Sequence, residues 1–306
     1  MNGGLRISVP VKITEAMLSG TDVPEADYAT WASGTTYAIK ARCIKGHVIW
    51  ESLKDSNTGN DPEAAGSGWW TKVSATNRWR LFDLEQVTRT SSPGNMFYEL
   101  EPGAPIDSVH ILGMDNVDSA QVRIYDGATL VKDFGQNAAG LLPTASDWWA
   151  YCYGPWTLSD QQHYRGLPYI VDPKIRVDFA GSSQSVQVLI LGNDTTFGNE
   201  IGEGVLGGVR FRSDQVVAFS DENFNIPTME TGALVDTVTF TLQIKSSKVD
   251  ELRDFHKDNA RKVCFFTISD RWRTTQVLGK ITSFEALLHG PTISEFAFEI
   301  RGVPQQ

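Results

Sequence analysis

Tryptophan is the residue type in this chain best placed to do chemistry. Nine occur in 306 residues, and four of them, Trp50, Trp69, Trp70 and Trp79, fall within residues 48–83. An exposed indole offers a flat apolar face that stacks on the C–H groups of a sugar ring. Buried, the same ring plugs a domain too small to build an aliphatic core. Residues 48–83 allow both readings. An apolar run, VIWESL, meets a polar turn holding Asn57, Gly59, Asp61 and Pro62 before the Trp69–Trp70 pair. A second aromatic group comprises Trp148, Trp149, Tyr151, Tyr153 and Trp156, with His163 and Tyr164 close behind. It poses the same choice between a sugar platform and a surface packed on a neighbouring domain or subunit. The candidate ligand-binding residues are therefore Trp50, Trp69, Trp70, Trp148, Trp149 and Trp156.

The other reactive residue types form no comparable pattern. No H-E-x-x-H, P-loop or G-x-S-x-G elbow occurs. His47, His110, His163, His256 and His289 are isolated in sequence, which leaves open that distant pairs meet in space. Cys43, Cys152 and Cys264 lack metal-ligand spacing and read as buried thiols of a reducing compartment. Asp55, Asn57, Gly59 and Asp61 are spaced like a calcium loop, but Asn60 stands where that loop needs glycine and Gly66 where it needs glutamate. Asp115, Asn116 and Asp118 could supply oxygens to a structural calcium, though Asx-rich turns need no metal. No metal and no cofactor are expected. Gly202, Gly204 and Gly207 spell G-x-G-x-x-G, yet a phosphate cradle needs a helix next, and RFRSDQVVAF reads as strand. Glycan cleavage usually needs two opposed carboxylates, and among 37 acidic residues nothing sets a pair apart. The expectation is a protein that is not an enzyme.

The elements that must position these residues are mostly strands. LRISVPVKIT alternates like a half-buried strand, with Pro10 suggesting an edge or a break. Residues 24–76 read as three short strands joined by turns, with aromatics doing most of the packing. Further runs cover Ile106–Met114, Ala120–Tyr125, Lys174–Ala180 and Ser185–Leu191, the last with Val186, Val188 and Ile190 on one face. GNEIGEGVLGGV reads as a flexible joint. Beyond it Val238, Phe240, Leu242 and Ile244 alternate inward along an exposed strand, Val235–Lys245, suited to pairing across subunits. Ser247 with Asp250 looks like a capping box opening a helix through Val249, Leu252 and Phe255. Strands follow at Val263–Ser269, Gln276–Leu287 and Ser294–Gly302. The fold class is mainly β. It comprises a small aromatic-rich module in residues 1–78, a jelly-roll-like β-sandwich in 79–200 and an α+β domain in 201–306.

Composition narrows the partners. A net charge of −10 lacks the basic footprint of a nucleic-acid binder, and 41% hydrophobic residues suit a folded chain. No apolar run approaches the roughly 18 residues of a membrane-spanning helix. MNGGLRISVPVKI lacks the apolar core of a signal peptide.

Several motifs carry resemblances. The aromatic hairpins of residues 24–76, with their glycine–proline turn before a Trp, resemble a small chitin- or cellulose-binding carbohydrate module, with Trp31 and Trp70 open to a structural role. The order ESL, NTGNDP, Trp and TNRWRLFD resembles a segment of bacteriophage tail proteins. PGAPIDSVHILGMDN through VQVLILGND resembles a galactose-binding-like jelly roll. LGKITSFEALLHGPTISEFAFEIRGV resembles the closing strands of phage tail-tip and baseplate proteins. Together these imply a virion protein made in the host cytoplasm. It would join other copies in a ring through its C-terminal domain, contact other tail proteins, and take host surface polysaccharide as a further partner. A carbohydrate-binding protein without virion assembly and a polysaccharide-degrading enzyme are the alternatives.

Overall fold

The computed structural model describes residues 4–64, 66, 68–138, 148–153, 160–220, 228–270, 272–288 and 290–305. The chain is mainly β, as its alternating runs require. Two large sheets, both antiparallel throughout, hold most of it. The first has nine strands in the order Gln162–Arg165, Ser108–Leu112, Val188–Phe197, Leu5–Pro10, Cys264–Thr267, Gln276–Leu288, Ile293–Gly302, Thr228–Lys245 and Gly204–Ser220. The second runs Thr129–Ala138, Asp115–Asp126, Pro173–Val186, Met96–Leu100 and Leu18–Thr21, with Thr90–Ser92 pairing off Pro173–Val186.

The nine-stranded sheet draws on all three sequence segments, so hydrogen-bonded pairing runs unbroken past residues 78 and 200. Leu5–Pro10 is no edge. It lies between Val188–Phe197 and Cys264–Thr267, and Pro10 closes it opposite Gly192. Such close pairing leaves two glycines no freedom: a Cβ on Gly192 would stand 2.4 Å from Ser8 Oγ, and one on Gly279 2.2 Å from the Arg301 carbonyl oxygen.

Side-chain parity sorts the cores. Met96, Tyr98, Leu100, Val122, Ile175 and Val177 of the smaller sheet meet Val109, Ile111, Leu189 and Leu191 of the larger in one cluster. Leu5, Ile7 and Phe197 join Val238, Phe240, Leu242, Ile244, Phe266 and Phe298 in a second. Val188 and Ile190 fall in a third cluster with Leu112, Phe265 and Leu278, whereas Val186 faces the first. Their expected common face is broken at Gln187, which separates the two strands and donates Nε2 to the Gln86 carbonyl at 2.8 Å. The helix Val249–Asn259 lays Val249, Leu252 and Phe255 on the second core. Its expected capping box does not form: Ser246–Lys248 make a 3-10 turn, Lys248 sits at the N-cap, and no side chain caps the helix. No helix among the described residues is long and apolar enough to cross a membrane.

Candidate functional site

In the aromatic module, Arg42–Lys45, Val48–Ser52 and Trp70–Ala75 form a three-stranded sheet, and Thr36–Tyr37 pairs with Asn57–Thr58. Gly46 and His47, with φ of +59° and +62°, make the two-residue turn whose twist matches that of its strands. Tyr37, Cys43 and Trp70 are the core, and Trp31, Trp50 and Trp69 pack half-buried around it. Trp70 is 7% exposed, meets Tyr37 edge-on at 5.0 Å and donates Nε1 to the Asn60 carbonyl at 2.9 Å. Asn57, fully buried, donates Nδ2 to Ser52 Oγ at 2.9 Å and accepts from Asn60 Nδ2 at 2.8 Å. The polar turn is therefore a bracket for the Trp70 indole. Trp50 donates Nε1 to the Lys45 carbonyl at 3.1 Å. Ammonium groups lie over the other two rings, Lys54 Nζ at 4.6 Å from Trp69 and Lys45 Nζ at 4.4 Å from Trp31.

These placements separate the module's tryptophans by role. Trp70→Ala removes the plug of a very small core and should cost about 3–5 kcal/mol. Trp69→Ala should cost less than half as much. Thermal melts of the two variants check this, and equal losses would contradict the division.

The TNRWRLFD motif joins module to body. Trp79 stacks on His47 at 4.4 Å, while Leu81 is buried in the first core with Phe82 against it. Glu25 accepts from His47 Nδ1 at 2.9 Å and from Thr76 Oγ1 at 2.8 Å across the same junction.

The second aromatic group divides. Trp148 and Trp149 open the short helix Trp148–Tyr153 and are 78% and 72% exposed, whereas Tyr164 is buried in the first core. Trp156 lies outside the described residues, as do the side chains of Tyr151 and Tyr153. The structure thus sets Trp50, Trp69 and Trp70 in one unit and Trp148 and Trp149 on another element.

Strand pairing also assembles a buried polar cluster on the face of the large sheet away from the first two cores. His110 Nδ1 and His163 Nδ1 are 3.2 Å apart, so the isolated histidines do meet. Ser108 Oγ lies 2.8 Å from Asp194 Oδ1 and 3.1 Å from Ser8 Oγ. Arg165 Nε and Arg6 Nε approach Asp194 Oδ2 at 3.6 and 3.9 Å, and both guanidinium groups also reach Asp270. Arg165 Nη2 donates to Thr267 Oγ1 at 2.8 Å. Burial pushes the His163 imidazole down to about 3 and lowers His110, whose neighbours Arg165 and Arg6 act the same way. Burial would raise the Asp194 carboxyl, but the His110 and Ser108 contacts outweigh it and hold it at about 2. The cluster thus carries an ionised carboxylate between arginines beside a neutral imidazole pair.

Ser108 Oγ contacts Asp194 and the Gly192 carbonyl rather than an imidazole nitrogen, and His110 has no exposed surface. That is not the geometry of a serine nucleophile and its base. What the cluster does is join the N-terminal strand, residues 108–194 and the C-terminal segment. Among the described residues no group of three His, Cys, Asp or Glu is placed to hold a metal ion.

The sheet's free edges are the remaining candidate. Val235–Lys245 is paired on both sides, by Gly204–Ser220 and Ile293–Gly302, so it offers no edge to another subunit. The edge passes to Gly204–Ser220 itself, whose seventeen residues pair, among the described residues, only with Thr228–Lys245. The glycines expected to make a joint belong to this strand: Gly207 and Gly208 form a bulge with φ of +67° and +92°. Val205, Val209 and Phe211 lie opposite Leu242, Phe240 and Val238; Val205 and Val209 pack on the second core, and Phe211 continues the row outward, 40% exposed. No protein-family model matches the chain, and no curated protein matches it.

Proposed function

We propose that this chain is a structural protein of a bacteriophage tail tip or baseplate, made in the host cytoplasm and incorporated into the virion. Copies join in a ring through the C-terminal region and bind other tail proteins, while the outer parts contact host surface polysaccharide. In this reading the two sheets around the first core form the jelly-roll-like sandwich, residues 24–76 the carbohydrate-module-like unit, and residues 201–306 the α+β assembly domain. The observation that carries it is the long edge Gly204–Ser220, with an apolar face continuing out to Phe211. An open edge of this length invites pairing with another chain unless it is covered, and head-to-tail contacts between unlike surfaces form rings where the rotation between copies closes.

Sedimentation velocity and electron microscopy of the purified chain should find a closed oligomer. Phe211→Asp should give a monomer with the melting behaviour of the unmodified protein. A native chain that sediments as a monomer at every concentration would sink the ring. The exposed Trp148 and Trp149 favour a second reading, a glycan-binding protein without virion assembly. Release of reducing ends from host polysaccharide, abolished by changing one Asp or Glu, would instead favour a polysaccharide-degrading enzyme.

A further inference from the structure

We propose that the outer face of the six-stranded sheet is a binding groove for an uncharged glycan, lined by none of the described tryptophans. The proposal takes from the reading just given only the choice of glycans as probes; the groove owes nothing to assembly. Residues whose neighbours point into the first core point out here: Phe97, Gln121, Arg123, Arg176 and Asp178 alternate with Tyr98, Val122 and Val177. They line a groove of about 360 Å³, within the size range of small-ligand sites.

Cross-strand register sets its chemistry. Gln121, Asp178 and Phe97 form one row, and Arg123, Arg176 and Glu99 the next. Two arginines directly opposite each other are unfavourable. Asp178 offsets this by accepting from Arg123 Nη2 at 2.6 Å and Arg176 Nε at 3.0 Å. Glu99 takes Arg176 Nη1 at 2.9 Å, and the guanidinium lies 4.3 Å over the Phe97 ring. Among the lining residues Asp22 and Asp178 stand against Arg123 and Arg176, and Glu99 beside them is matched by Lys174 Nζ at 2.8 Å, so the charges balance. The groove therefore selects neither an anion nor a cation.

Free hydrogen-bonding atoms of both kinds remain. Asp22 spends Oδ1 on the Phe97 N–H, leaving Oδ2. Asn95 spends Oδ1 on the Gly181 N–H, leaving Nδ2. Gln121 spends Nε2 on Asp133, leaving Oε1. Arg123 keeps Nη1, and the Gln136 side chain bonds to no described residue. Interleaved donors and acceptors on a charge-balanced floor match sugar hydroxyls, each of which both gives and accepts a hydrogen bond. Phe97 adds an apolar surface for sugar C–H groups.

The full-length chain, applied to a printed array of neutral and acidic glycans, tests this. Neutral glycans should bind, and the double variant Gln121→Ala/Gln136→Ala should weaken binding about tenfold without moving the melting temperature. Ile201→Ser, at an exposed position outside the groove, should bind as the native chain does. Three results would overturn the proposal: no glycan binding, binding of acidic glycans alone, or neutral binding that survives the glutamine changes. Sedimentation of the same preparations reads assembly separately. An unassembled chain that binds neutral glycans through Gln121 and Gln136 would remove the ring and leave the groove standing.

Discussion

Asp194→Asn should destabilise the protein by about 3–5 kcal/mol, a large part of the roughly 5–15 kcal/mol that holds a folded domain. The carboxylate is 13% exposed and takes Ser108, His110, Arg165 and Arg6 from three different strands. An amide of the same shape cannot answer two guanidinium groups, and its added donor faces them. The matching change at the other acid, Asp270→Asn, should cost at most about 1 kcal/mol, because that side chain is 63% exposed and water screens the pair. Urea unfolding of both variants checks the ranking.

The pH response of the native protein follows from the same cluster. An unfolded histidine takes up a proton near pH 6.5, whereas folded His163 resists until about 3, so its contribution to stability falls as pH drops below about 6.5. Asp194, held at about 2 when folded, adds stability that is present above its unfolded value and lost as pH falls through about 2. Asp83 works in the opposite direction: burial raises it to about 6, so its cost is relieved as pH falls below that value. Asp194→Asn should therefore remove the lowest part of the acid limb while leaving the histidine part. Equal losses for Asp194→Asn and Asp270→Asn, or an unchanged acid limb, would show that the cluster does not hold the segments together.

The strands were legible in the sequence because alternation is local. Val238, Phe240, Leu242 and Ile244 face the second core as their period of two demands. So do Ile175, Val177 and Phe179 in the first. What alternation cannot express is which strand neighbours which. Arg6 and Ser8 occupy the polar positions of what reads as an ordinary half-buried strand, and Ser108 and His110 sit in an unremarkable apolar run. Only the pairing of Val188–Phe197 with Leu5–Pro10 on one side and Ser108–Leu112 on the other turns Ser8, Ser108 and Asp194 into neighbours across 186 residues of chain. Trp70 was recognisable as an aromatic of consequence, but its burial depends on Asn60 and Tyr37 closing over it. Gln121, Arg123 and Asp178 carried no signal, since polar residues on an outward face look alike until register sets them side by side.

A fragment of residues 1–203 should fail to fold, although a division of the chain at 200/201 would make it self-sufficient. Cys264–Thr267 pairs with the N-terminal strand along Arg6, Ile7 and Ser8, and the fragment leaves that side of the strand unpaired. Leu5, Ile7 and Phe197 belong to a core whose other buried members all lie between Val238 and Ile300. Exposing three such side chains costs about 1.5–3 kcal/mol each, together comparable with the whole stability of a domain. Arg165 would lose Thr267 and Asp270 as well, weakening the polar cluster from the same side. The expected result is a fragment with no cooperative melt, rescued when residues 204–306 are co-expressed as a second chain. Circular dichroism melts of the fragment with and without its complement decide the matter. A cooperative melt of 1–203 alone would mean that the sheet is held together more by the first core than by its central strand pairs.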